Sequence, residues 1–222
     1  MTKRSFACLC VVASAIAADG FAENSSERQI NRAYGKRLPE LIQPSDATVT
    51  VLDVKDPPLR VQKPPATSLY TWLAQISDAI VLARVIRRES RLNDNSDWIQ
   101  SDVHAVITDV VKAPAGTELK PGTQLSMVEE GGDLQIGNTR VRARVPDQRP
   151  SREGGAYLMF FNITDQTNPT VLNGFPKTYE LTSNGRFLRL LRGQVDSNDP
   201  DEIENVLSSQ AIAELRDAVD RR

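Results

Sequence analysis

Apolar and polar positions alternate most clearly between residues 67 and 192. Leu69, Trp72, Leu73 and Ile76 recur at helical spacing behind the cap candidate Thr67-Ser68, which predicts a short helix. Asp78 ends it, and residues 79–86 (AIVLARVI) begin a first strand. The charged block 87–97 follows, with Asn93-Asp94-Asn95-Ser96-Asp97 as a turn. A long second strand over 99–111 puts Val103, Ala105 and Ile107 on one face and His104, Val106 and Thr108 on the other. Proline and glycine breakers at 112–116 and 120–123 precede a third strand, 124–128. Gly131-Gly132 and Gly137-Asn138 flank a short segment that leads to the alternating stretch 139–145. Gly154-Gly155 opens onto 156–161 (AYLMFF), whose continuous apolar run predicts a strand buried on both faces.

Asn184-Gly185 predicts a two-residue hairpin loop with positive φ at both positions. That loop pairs Ser183 with Arg186, Leu181 with Leu188, Glu180 with Arg189 and Tyr179 with Leu190. Tyr179, Leu181, Leu188 and Leu190 then share one face. The segment 193–222 ends in helix, with an acidic opening at 199–202 and a stripe of Ile203, Val206, Leu207, Ile212, Leu215 and Val219. Residues 23–66 read as an extended arm that holds six of the thirteen prolines. Within it, 48–52 alternates as one edge strand, while the polar stretch 25–37 suits a frayed helix or disorder.

The first twenty-two residues carry an address. Lys3 and Arg4 precede an apolar run over 5–18 that is too short to span a bilayer, and small residues close it at Ala15, Ala17 and Ala22. This predicts a signal peptide over 1–22 and a secreted or periplasmic protein. Cys8 and Cys10 both lie in the leader, so the mature chain is cysteine-free and relies on its core alone. No later segment has the roughly eighteen apolar residues of a membrane span. The net charge of −2 gives no general attraction to nucleic acid, which is not an expected partner.

The order of these motifs is recognisable. A short helix runs into Ser77–Val85, then come Val103–Lys112, the loop Lys120-Pro121-Gly122-Thr123, Gly131-Gly132, and Gly154-Gly155 before 156–161. Over residues 67–192 this resembles a group of exported bacterial domains with the β-barrel core of the OB fold, distantly similar to the netrin-like modules of tissue inhibitors of metalloproteinases. The resemblance implies a mainly β fold: an OB-like barrel of five to seven strands, with a short helix before it and a C-terminal helix after it. Those inhibitors act through a disulfide-anchored amino-terminal cysteine, and the mature chain has none. Inhibition by that route is not implied.

Candidate chemistry is sparse. His104 is the only histidine, which excludes multi-histidine zinc sites, leaves a serine triad unsupported, and suits a hydrogen-bonded structural role. Glu129 and Glu130 are adjacent in a strand and point to opposite faces, so they do not form a catalytic pair. Asn93, Asn95 and Asp97 have the spacing of a calcium loop, yet Trp98 and His104 occupy its glycine and glutamate places. Asn162-Ile163-Thr164 matches a glycosylation sequon. No phosphate loop, dinucleotide fingerprint or nucleophile elbow occurs, and no cofactor or metal is expected.

Arg140, Arg142 and Arg144 alternate with Val141, Ala143 and Val145, so three guanidiniums leave one side of a strand, with Arg149 and Arg152 in the loop beyond. These three form the candidate binding face, weighed against the solvated face that charged residues on a half-buried strand ordinarily make. The sequence therefore favours an exported, non-enzymatic binding or interaction module directed at a protein or an anionic envelope component. The alternative is a protease-regulating protein or hydrolytic enzyme whose site the sequence does not reveal. Amino-terminal sequencing of the exported protein should start at or near Glu23; a mature form that keeps Lys3 and Arg4 overturns the leader.

Overall fold

The computed structural model describes residues 27–53, 67–146, 148–163, 172–189, 203 and 205–221. Residues 1–22, for which a leader is predicted, Leu190 of the hairpin and the acidic stretch 199–202 lie outside them. The chain runs β1 (Glu27–Asn31), α1 (Leu38–Leu41), β2 (Thr48–Leu52), α2 (Leu69–Ile76), β3 (Ala79–Leu92), β4 (Ile99–Lys112), β5 (Gln124–Glu130) and β6 (Gly132–Ile136). It continues through β7 (Thr139–Arg144), β8 (Ala156–Ile163), β9 (Leu172–Leu181), β10 (Phe187–Arg189) and α3 (Ser208–Asp220). The fold is mainly β, in two sheets ordered β1-β2-β7-β6 and β10-β9-β8-β3-β4-β5, with a helix at the C-terminus. The larger sheet curls until β5 lies beside β9. No ladder joins those two strands among the described residues, so the sheet remains open.

The long β3–β4 hairpin belongs to every part of this arrangement. Ala79, Val81, Ala83 and Val85 point into the curl with Val103, Ala105, Ile107, Leu125 and Tyr157. Ile80, Val111, Leu158 and Phe160 face the other way, onto α2 and α3. The far end of the hairpin, at Leu92, Trp98 and Ile99, packs on Val49, Val51, Val141 and Ala143 of the smaller sheet. Phe160 faces the helices, edge-on to Tyr179 with ring centroids 6.1 Å apart, on a strand whose residues 157–161 are all buried.

A bulge explains why β3 runs six residues beyond its apolar stretch. Val85 pairs with Ala105 and Arg87 with His104, so Ile86 is an extra residue with no partner of its own. The insertion reverses the phase of the strand. Beyond it Arg87, Glu89 and Arg91 are exposed, whereas Arg88, Ser90 and Leu92 are half-buried. The charged block therefore continues as strand, and the turn is confined to residues 93–98.

The chain then crosses between sheets at Gly131-Gly132 with no intervening loop. A Cβ on Gly132 would lie 2.4 Å from Ser90 Oγ and 2.6 Å from Ser101 Oγ, in a backbone with φ of +154°. Ser101 Oγ donates to the Gly131 carbonyl at 2.8 Å and lies 3.0 Å from Ser90 Oγ, so the serine pair holds the crossing in place.

Four expectations need correction. Residues 48–52 form a strand, but β2 is inner, flanked by β1 and β7, because Glu27–Asn31 adds a further parallel strand outside it. The stretch 25–37 accordingly includes strand. The final helix starts at Ser208; Ile203 and Val206 reach the core from the preceding segment, where Val206 accepts from Phe187 N at 3.1 Å. The Asn184-Gly185 hairpin has a three-residue loop, 183–185, closed by Thr182 N donating to the Arg186 carbonyl at 2.9 Å. Only Gly185 takes positive φ, +75°, which fits a turn ending in one left-handed residue. The pairing therefore slips by one, to Phe187 with Leu181, and the core residue is Phe187 in place of Leu188.

This register makes a direct prediction. Phe187→Ala should lower stability by about 3–5 kcal/mol, because the ring leaves a packed core. Leu188→Ala should cost about 1 kcal/mol, since that side chain is half-buried. Chemical denaturation compares the two, and a larger loss at Leu188 would restore the two-residue loop.

Candidate functional site

The three candidate arginines lie on β7, an inner strand. Val141 and Ala143 are buried against β2 and the hairpin tip, so Arg140, Arg142 and Arg144 emerge together on the opposite face. Register fixes their neighbours: Thr48 and Gln135 flank Arg140, while Thr50 and Asp133 flank Arg142. The alternation read from the sequence thus produces a shared face.

The three are not equivalent, and each meets a carboxylate. Arg144 is tied down: its Nη2 lies 2.5 Å from Asp133 Oδ1, and its Nη1 donates to the Gly132 and Ala143 carbonyls at 3.2 and 3.0 Å. Arg140 donates to Asp133 Oδ2 at 2.9 Å. Arg142 reaches only Glu27 Oε1, at 3.4 Å, and that oxygen also accepts from Thr50 Oγ1 at 2.9 Å. Burial alone would raise the Asp133 carboxyl. Hydrogen bonds from Arg144 and Arg140, with their charges, outweigh burial and hold its pKa below the ordinary value. Two carboxylates thus face three guanidiniums, which leaves an excess of one positive charge.

Arg149 is exposed in the following loop, and Arg152 pairs with the buried Glu180 at the foot of β9; neither extends the ladder. His104 stands on the outer face of β4 with Nδ1 3.0 Å from Ser126 Oγ on β5. Glu129 turns inward to Arg88 Nε at 3.3 Å, whereas Glu130 is exposed, so the pair diverges. Asn93 closes its turn by accepting from Asp97 N and Trp98 N, and the buried Trp98 is part of the core. Among the described residues no group of three His, Cys, Asp or Glu is placed to hold a metal ion.

Two features were not read from the sequence. The first is a clasp around Arg32, whose guanidinium lies between the Tyr34 and Trp98 rings, 4.5 and 4.7 Å from their centroids. It also pairs with Asp53 at 2.9 Å and Asp97 at 3.4 Å. Burial and a hydrogen bond to Asp53 push the Tyr34 phenol up to about 12. The clasp joins three sequence-distant segments, which is why no local pattern betrays it. The second is the outer face of β3, β4 and β5. Ile86, at the bulge, is 48% exposed, and Val128 on β5 is 52% exposed. The His104–Ser126 pair lies on this face with them. Arg91 pairs there with Asp102 at 2.6 Å and Arg87 with Glu89.

Comparison of the chain with protein-family models and with curated protein sequences finds no match. Among the described residues no helix is long and apolar enough to cross a membrane.

The Asp133 pairing predicts a pH dependence. A carboxylate with a depressed folded-state pKa contributes stability above its ordinary pKa of 3.8, and that contribution disappears as pH falls through the folded value. Asp133→Asn should therefore lower stability at pH 7 by no more than about 1 kcal/mol, because the pair is partly solvated. The difference from the parent should shrink steadily below pH 3.8 in acid-titrated melts. A difference that grows on acidification would exclude this linkage.

Proposed function

We propose that this protein is an exported, non-enzymatic binding module on an OB-like barrel, and that its partner is a protein. The neighbour order β5-β4-β3-β8-β9, with β5 beside β9, supports the barrel. It is the arrangement of a partly open five-stranded Greek key, in which the first strand pairs with the second and the fourth. The leader over residues 1–22 supports export.

The observation that carries the reading is the outer face of β3–β5. The second and third strands of OB-like barrels present their outer face to ligands, and here those strands are β4 and β5. Ile86 and Val128 supply exposed apolar area, His104 and Ser126 supply hydrogen-bonding groups, and the Arg91–Asp102 and Arg87–Glu89 pairs supply a polar margin. Apolar contacts with a charged rim are the chemistry of a protein interface.

Ile86→Glu and Val128→Glu test it. Neither side chain is buried, so each variant should keep its stability within about 0.5 kcal/mol of the parent. A charge placed where a partner must exclude water should weaken capture by about tenfold or more. Cross-linking in envelope extract, quantified for parent and variants, should show one partner retained by the parent and lost from both. An unchanged set of cross-linked proteins would reject this face. Turnover of a hydrolase substrate by the isolated protein would favour the enzyme reading.

A further inference from the structure

We infer that the outer face of the smaller sheet is a second binding surface, for a linear acidic polysaccharide, with Arg140 and Arg142 as its carboxylate readers and Glu27 as a built-in competitor. It is independent of the protein-binding face, since it lies on another sheet and uses none of the same residues.

The argument begins with how differently the arginines are engaged. Arg144 donates to two backbone carbonyls and a carboxylate, so it belongs to the sheet crossing. Arg142 has one long contact, 3.4 Å, to a Glu27 carboxylate that is itself half exposed. Arg140 has one bond to Asp133 and is 54% exposed. A planar guanidinium offers five donors in a fork suited to carboxylates. Both arginines therefore keep donors for an incoming carboxylate, and the face already has one positive charge more than its own acids balance.

The surroundings select the kind of anion. Arg140 and Arg142 stand two residues apart on an inner strand, about 6.6 Å along it, close to the length of a sugar ring. Thr48, Thr50 and Gln135 sit beside them in register, so neutral hydrogen-bonding groups neighbour the cations across the sheet. A sugar acid presents the same mixture of hydroxyls and carboxylates. Among the described residues this face carries no aromatic ring, which separates it from the stacking platforms that hold single-stranded nucleic acid. Glu27 occupies Arg142 from the edge strand β1 and must yield when a ligand carboxylate arrives.

Polygalacturonate is the probe, titrated calorimetrically into the full mature protein at low salt, with the fully methyl-esterified polymer as the uncharged comparator. The parent should bind the acid form only, and 0.3 M salt should weaken it strongly, because exposed charges are screened within a few ångströms. Arg140→Gln with Arg142→Gln should reduce affinity by about tenfold or more, the scale of losing charge-assisted hydrogen bonds. Glu27→Gln should tighten binding by about threefold, the scale of removing one exposed competing pair. A gain cannot arise from misfolding, so this variant protects the test if the double variant proves unstable. Val128→Glu should bind the polymer as the parent does. Equal binding of the esterified polymer, no response to the arginine changes, or no binding by either parent or Glu27→Gln would each overturn the inference.

Discussion

A fourteen-residue antiparallel ladder extends about 45 Å, farther than one small hydrophobic core can cover. The β3–β4 hairpin is such a ladder, and the rest of the molecule is arranged to bury it. Its first half is pleated between the curl and the helices, with alternate residues serving each. Its second half would leave the curl's cover, and the smaller sheet closes over it through Trp98, Ile99 and Leu92. The bulge at Ile86 makes the sharing possible, because it shifts the inward phase from odd to even positions where the neighbours change. Without that shift Arg87, Glu89 and Arg91 would point inward and lose their solvation.

The smaller sheet shows how charge is handled when a strand of arginines is placed at the centre. Asp133 sits across from Arg142 in register but is reached by Arg140 and Arg144, so one carboxylate serves two cations. Glu27 reaches the third from the sheet edge. Arg32 is handled differently: two ring faces and two carboxylates surround a guanidinium with little access to water. There the low local dielectric strengthens each contact, and the group fixes the amino-terminal strands against the hairpin turn.

Much of the site was legible because strand periodicity is local. Alternation in 139–145 dictated a common face for Arg140, Arg142 and Arg144, and the same rule separated Glu129 from Glu130. The carboxylates that balance the arginines were not legible. Glu27 lies 115 residues from Arg142 in the chain, and no local signal links them. Ile86 was read as part of an apolar strand; alternation after the inward Val85 turns it outward, and only the tertiary fold decides that this outward face is left 48% exposed. The hairpin illustrates the finest failure: Asn184-Gly185 marks a turn in either loop, but one additional residue exchanges Leu188 for Phe187 in the core.

The sequence by itself determined the β-rich class, the cap and buried face of α2, the double-sided burial of 156–161, the turn sites and the shared face of the arginines. Each follows from contacts within a few residues, where side-chain direction depends on backbone periodicity alone. Tertiary structure decided the rest: the second sheet, β2 as an inner strand, the start of α3 at Ser208, and the partners of Arg32, Arg140, Arg142 and Arg144. Those outcomes depend on which remote segment completes a ladder or buries a face. That choice is made by the long-range cost of leaving backbone groups unpaired and charges unsolvated, which no short stretch of sequence contains.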